Sequence, residues 1–145
     1  MSIVLPKGHH IVTPGALICH ANKVLKFIED VFKGELLERY DGPDGTCAHA
    51  EILIGDSAVM LGEAPSEKDA LPAILSVYVG SAEEVDSTYK AALEAGATSE
   101  REPADQFYGH RSATVKDVGG NLWSISAVIE QLTPEEIDQR MAGQQ

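Results

Sequence analysis

The sequence predicts an α+β fold of two tandem βαβββ units followed by a short C-terminal helix. Three observations predict it. The 145-residue chain reads β-α-β-β-β twice in the same order. Equivalent positions keep a fixed offset: Val24 and Val85 lie 61 residues apart, and so do Pro14 and Leu75 in the two opening strands. Gly55 and Gly120 lie 65 apart, which assigns about four extra residues to the second unit. The unit boundaries are 11–63 and 73–128, with a linker at 64–72 and a helical tail at 129–145, all in one domain.

Each element has a local reason. "IVTPGALIC" (11–19) is apolar and reads as a strand, with pairing limited at Pro14, which has no N–H. "NKVLKFIEDVF" places Val24, Ile28, Val31 and Phe32 at helical spacing, and Gly34 is positioned to end the helix. "ELLERY" reads as a strand and "DGPDG" as a turn. In "CAHAEILIG" Ala50, Ile52 and Ile54 alternate with His49, Glu51 and Leu53, as a strand requires. Gly55-Asp56 turns the chain into the strand "SAVML", and the polar "GEAPSEKDALP" follows.

The second unit opens with the strand "AILSVYVG". Its helix begins at Ser81, with Glu84 as a capping-box partner, and buries Val85, Tyr89, Ala92 and Leu93. "ATSERE", "HRSATVKD" and "LWSISAVI" are the remaining strands. "PADQFYG" is the loop that absorbs the extra residues. Thr133-Pro134-Glu135-Glu136 starts the tail helix with an N-cap, a proline at the first helical position and a capping-box glutamate.

Composition narrows the function. A net charge of −12 repels nucleic acid as a whole, and the 11 Lys and Arg are scattered. No apolar run approaches the ~20 residues that span a bilayer. Two cysteines, Cys19 and Cys47, form no CxxC pair, and the start of the chain lacks the pattern of a signal peptide. A cytoplasmic protein with no nucleic-acid or membrane partner is expected.

Several stretches carry a resemblance. They are "VTPGALIC", "FIEDVFKGE", "GPDGTCAHAEILIGDSAVML", "DQFYGHR", the D-x-x-G-N-x-W-S run from Asp117 to Ser124, and "LTPEEIDQR". In this order they resemble the glyoxalase/bleomycin-resistance/dioxygenase (vicinal oxygen chelate) superfamily, and within it the phosphonate-operon-B-like and demethylubiquinone-methyltransferase-like branch. The resemblance implies curved mixed sheets around a cup, a small-molecule ligand inside it, and a homodimer.

Metal-dependent members place His or Glu ligands on the first and last strands of each unit. Those positions fall here on Pro14, on Ile74, on Ser124, and near Val59 or Met60. Such chemistry needs several nitrogen or oxygen ligands converging on one ion, so the family metal site reads as lost and no cofactor is expected. A relocated divalent metal at His49, Glu51 and His110 is an alternative.

The family positions label the cup-facing residues as Pro14, Ala16, Ile74, Ser76, Tyr78, Ser124 and Ser126, with Trp123 and Ile125 facing the helices. The expected ligand contacts are Ser76, Tyr78, Phe107, Tyr108, His110, Arg111 and Ser124. Arg111 either grips a ligand carboxylate or phosphate, or neutralises Asp105 or Glu51. His49 and Glu51 share a strand face and form either an acid/base pair or a hydrogen-bonded pair that only shapes the cavity. His20 is expected to cap the first helix, and His9-His10 to lie exposed in the N-terminal arm. Three functions remain in view: a binding protein that has lost its metal, a glyoxalase-like lyase, isomerase or dioxygenase-type enzyme using His49/Glu51 or a relocated metal, and sequestration of a cationic antibiotic.

Overall fold

The computed structural model describes residues 2–144. Met1 and Gln145, the ends of the predicted domain, lie outside the described residues. The predicted order is present: β1 (Gly15–Ile18), α1 (Ala21–Phe32), β2 (Glu35–Asp41), β3 (Cys47–Ile54), β4 (Ser57–Glu63), then β5 (Ile74–Tyr78), α2 (Ala82–Glu94), β6 (Thr98–Asp105), β7 (His110–Lys116), β8 (Leu122–Val128) and α3 (Pro134–Ala142). The strands form two four-stranded sheets, ordered β1-β4-β3-β2 and β5-β8-β7-β6. In the first, β1 runs parallel to β4 while the β2–β3 and β3–β4 pairs are antiparallel. The chain divides into two compact units, Met1–Ala73 with Asp117–Leu122, and Ile74–Lys116 with Trp123–Gln145.

The first unit buries the apolar stripe of α1, including Val24, Leu25, Ile28 and Val31, together with Ala16, Ile18, Ala50, Ile52 and Leu61 from the sheet. The strand residues obey the two-residue period, so one sheet face meets the helix and the other stays open. Here one expectation is corrected. Ala16 is buried with Ile18 on the helix side, while Gly15 and Leu17 face the open side. The strand begins only at Gly15. Pro14 precedes it and contributes its carbonyl to the Met60 N–H at 3.0 Å.

Helix α1 starts and stops differently from expectation. His20 takes the N-cap position with φ 64° and makes no side-chain cap. The cap comes from β4 instead: the Glu63 carboxylate accepts from the N–H groups of His20 at 3.1 Å and Ala21 at 3.0 Å. At the other end Lys33, not Gly34, adopts the left-handed backbone, with φ 58°. Gly34 is needed for packing, because a Cβ there would sit 2.8 Å from the side chains of both Ile28 and Ile52.

The segment after β4 carries one 3-10 turn, Glu67–Asp69. Leu71 then pairs with Leu17 through two backbone hydrogen bonds, covering the free edge of β1. The Asp117–Asn121 turn is tied down in the same unit. Asp117 accepts from the N–H groups of Gly119 and Asn121 and from the Asn121 amide, and Asn121 Oδ1 accepts from the Ala73 N–H at 2.8 Å.

In the second unit α2 buries Val85 and Ala92, while Ala113, Val115, Trp123, Ile125 and Ala127 form the apolar face of its sheet. Trp123 is thus core, as expected. Leu93 is exposed, and Tyr89 donates its hydroxyl to Ser99. Ser81 caps α2 by accepting from the Glu84 N–H, but Glu84 reaches back to the Gly80 N–H rather than to Ser81, so the capping box is shifted by one residue. The tail helix has the complete box, with Thr133 and Glu136 each bonding the other's N–H.

Candidate functional site

The open face of the first sheet carries an ionisable cluster. Strand β3 presents His49 and Glu51, and the register sets Tyr40 opposite His49 and Glu38 opposite Glu51. His49 Nε2 lies 3.2 Å from Glu51 Oε2. The ring of Tyr40 stacks on that of His49 with centroids 6.4 Å apart. The second Glu51 oxygen is taken by His9, whose Nε2 lies 2.5 Å away. The His9 side chain is only 8% exposed, so the expected exposed arm is corrected at this residue; His10 alone is exposed.

The hydrogen bonds assign protons. A carboxylate only accepts, so His49 Nε2 carries the hydrogen and its Nδ1 is left as an acceptor. Among the described residues Nδ1 has no hydrogen-bond partner. His9 faces acceptors on both sides, the Lys7 carbonyl at 3.0 Å from Nδ1 and Glu51 at Nε2. Burial would raise the Glu51 pKa, but hydrogen bonds from His49 and Glu38 and the charges of His9 and His49 outweigh it and hold the carboxyl below its ordinary range.

Beside the cluster is a cavity of about 320 Å³ lined by Gly15, Leu17, His49, Met60, Gly62 and Leu71 among others. Two of its residues have no side chain, which makes room next to the imidazole. Gly62 cannot be enlarged, since a Cβ would meet the Ala48 carbonyl oxygen at 2.7 Å. Gly15 can be, since its nearest neighbour would be 3.6 Å away. The result is a mostly apolar slot with one imidazole on its wall.

The second unit gathers most of the other predicted contacts. Ser76 and Tyr78 lie on the open face of its sheet, and Tyr78 is 64% exposed. Tyr78 meets His110 edge-on at 6.0 Å, His110 meets Tyr108 at 5.0 Å, and Tyr108 meets Phe107 at 5.2 Å. Ser124 is half-buried, with its hydroxyl 3.4 Å from that of Ser126. Arg111 is engaged elsewhere: it donates to Asp86 at 2.9 Å and Asp105 at 3.0 Å, bonds that raise its pKa further. Asp105 was one expected partner; Asp86, on α2, was not.

The loop between β6 and β7 is held by the tail. Arg140 donates to the Phe107 carbonyl at 3.2 Å and to both oxygens of Glu130 at 2.9 Å. Gly109 has φ 89°, and its carbonyl accepts from the N–H groups of Ile129 and Glu130.

His49 and Glu51 are therefore brought together, whereas His110 belongs to the other unit. No group of three or more His, Cys, Asp or Glu among the described residues is disposed to hold a metal ion. Also among them, no helix is long and apolar enough to cross a membrane. Sequence reasoning missed His9, Glu38 and Tyr40. A signal was available for two of them: E-x-Y at 38–40 and H-x-E at 49–51 are two-residue periods flanking one hairpin turn, and such periods face each other across paired strands.

The chain has relatives and structural neighbours. It is 28% identical over 144 residues to the uncharacterized protein Rv0887c of Mycobacterium tuberculosis, covering 92% of this chain and 83% of that one. Its fold is similar to that of TioX from Micromonospora sp. ML1, at 22% identity and a TM-score of 0.63, with 86% and 100% of the two chains covered. It is also similar to the genomically encoded fosfomycin resistance protein FosX from Listeria monocytogenes, at 17% identity and a TM-score of 0.68, with 88% and 97% covered. Residues 9–125 match the family model of the Glyoxalase/Bleomycin resistance protein/Dioxygenase superfamily, and with two βαβββ units in the matching order the chain belongs to that superfamily.

Proposed function

We propose that this protein binds a small, uncharged, ring-sized organic molecule in the slot of its first unit. The observation that carries this reading is the slot itself: about 320 Å³, mostly apolar, made by the missing side chains of Gly15 and Gly62. That is the low end of the volume range for small-molecule sites, and an apolar wall with one convergent polar group is their usual make-up. The residues at the family ligand positions, Pro14, Ile74 and Ser124, support binding without a metal ion.

The net charge of −12 favours a cationic drug in general terms. The slot lining is apolar rather than acidic, however, so a neutral ring is the better match. The rings of Tyr78, Phe107, Tyr108 and His110 in the second unit are proposed as a second recognition surface. The order of the sequence motifs supports the phosphonate-operon-B-like branch. Homodimerisation is proposed through the apolar surface at Ile74, which is 81% exposed. The free thiols of Cys19 and Cys47 support a cytoplasmic setting.

Native mass spectrometry of the purified protein with para-nitroanisole tests both points. One probe per chain on a dimer is expected, lost in Gly15→Val, whose new side chain enters the slot. Equal loading of wild type and Gly15→Val rejects the slot as the site.

A further inference from the structure

We propose that His49 is the proton acceptor for a ligand bearing an acidic hydroxyl, a phenol or an enol, with Glu51 and His9 as its positioning residues. This rests on the reading of the slot as a ligand site and adds what the ligand must carry.

Three observations converge. First, Glu51 fixes the His49 tautomer: Nε2 donates to Glu51 at 3.2 Å, which leaves Nδ1 as the only nitrogen able to take a proton. Second, His49 is both a wall of the slot and partly open, its side chain 42% exposed, so a ligand in the slot can reach the ring. Third, acidic and aromatic side chains enclose the ring. The groups facing it are Glu51 on β3, Glu38 and Tyr40 on β2, and His9 on the arm; Lys7 on the arm is drawn away to Glu35. The Glu51 carboxylate lies directly against the ring nitrogen that would share the charge of an imidazolium.

The step balances without a co-reactant. The ligand O–H bond breaks and its electron pair stays on oxygen. The proton forms an N–H bond at His49 Nδ1, giving an imidazolium beside Glu51 and an oxyanion beside the imidazolium. An oriented imidazole backed by a carboxylate performs this transfer because the carboxylate holds the ring and stabilises its charged form. The same transfer ionises an enol to its enolate. His9 contributes by fixing the Glu51 oxygen that His49 does not use.

The test compares para-nitrophenol with para-nitroanisole, which has the same ring without the proton. Binding is measured at a pH below the probe's own ionisation, where the bound phenolate shows its own visible band. Wild type is expected to bind the phenol about tenfold more tightly than the anisole and to show that band. His49→Gln is expected to bind the two probes alike and to show no band. Glu51→Gln is expected to lose the band, because the uncharged amide accepts from His49 without stabilising the imidazolium. Equal affinity for the two probes in wild type, or an unchanged band in His49→Gln, overturns the proton acceptor and leaves the slot reading standing. Unchanged phenol binding in Gly15→Val, with the band intact, overturns the location instead.

Discussion

Glu51 carries more of the site than its position in the sequence suggests. It is the joint between a strand residue, His49, and an arm residue, His9, and it lies almost wholly out of solvent at 12% side-chain exposure. Its folded pKa is below the ordinary value of 4.5. A depressed carboxyl stabilises the fold above that value and loses its contribution as pH falls through the folded pKa. Urea midpoints measured across the acid range are therefore expected to fall more steeply for wild type than for Glu51→Gln, with the excess lost below about pH 4.5. Parallel curves would remove Glu51 from the acid response. At this scale the sequence disclosed the His49–Glu51 pair, because two residues apart on a strand means one face. It did not disclose His9, 42 positions upstream of Glu51, because nothing local says where an arm will fold.

At the scale of the element, α1 depends on a cap from outside itself. Its first N–H groups need acceptors, and the side chain of the helix's own N-cap residue supplies none. Glu63 supplies them from the end of β4, so a strand residue fixes where the helix starts. Glu63→Ala is expected to cost about 1 kcal/mol in urea denaturation, with partial recovery in Glu63→Gln, whose amide oxygen still accepts. No loss in Glu63→Ala would mean that water caps the helix equally well. The tail helix shows the opposite case. Thr133 and Glu136 are three residues apart and satisfy each other, so this cap was readable from sequence and sits where the spacing put it. Arg111 follows the first pattern: its charge was evident, but its second carboxylate, Asp86, lies 25 positions away on α2.

At the scale of the whole molecule, the first unit is built from two separate stretches of chain. Residues 117–122 return to it after most of the second unit has been laid down. Asn121, fully buried, links that turn to Ala73, the last residue of the first stretch. The D-x-x-G-N motif is thus a structural clasp as well as a mark of resemblance. Asn121→Ala is expected to destabilise the protein by about 2 kcal/mol, because it strips a partner from the Asp117 carboxylate and leaves the Ala73 N–H without its acceptor. Calorimetry with an unchanged midpoint would show that the clasp is replaceable.

Among the described residues, the repeat, the eight strands, the three α-helices and their order were determined by the sequence alone. These follow from spacings of two to four residues, and such spacings act through neighbours in the chain. The tertiary structure decided what spacing cannot reach: that β1 turns Gly15 rather than Ala16 to the open face, that two glycines open a slot beside His49, and that His9 closes on Glu51. Each is a contact between distant segments. Its partners are chosen by strand register and by where a loop lands, and neither leaves a mark in local sequence.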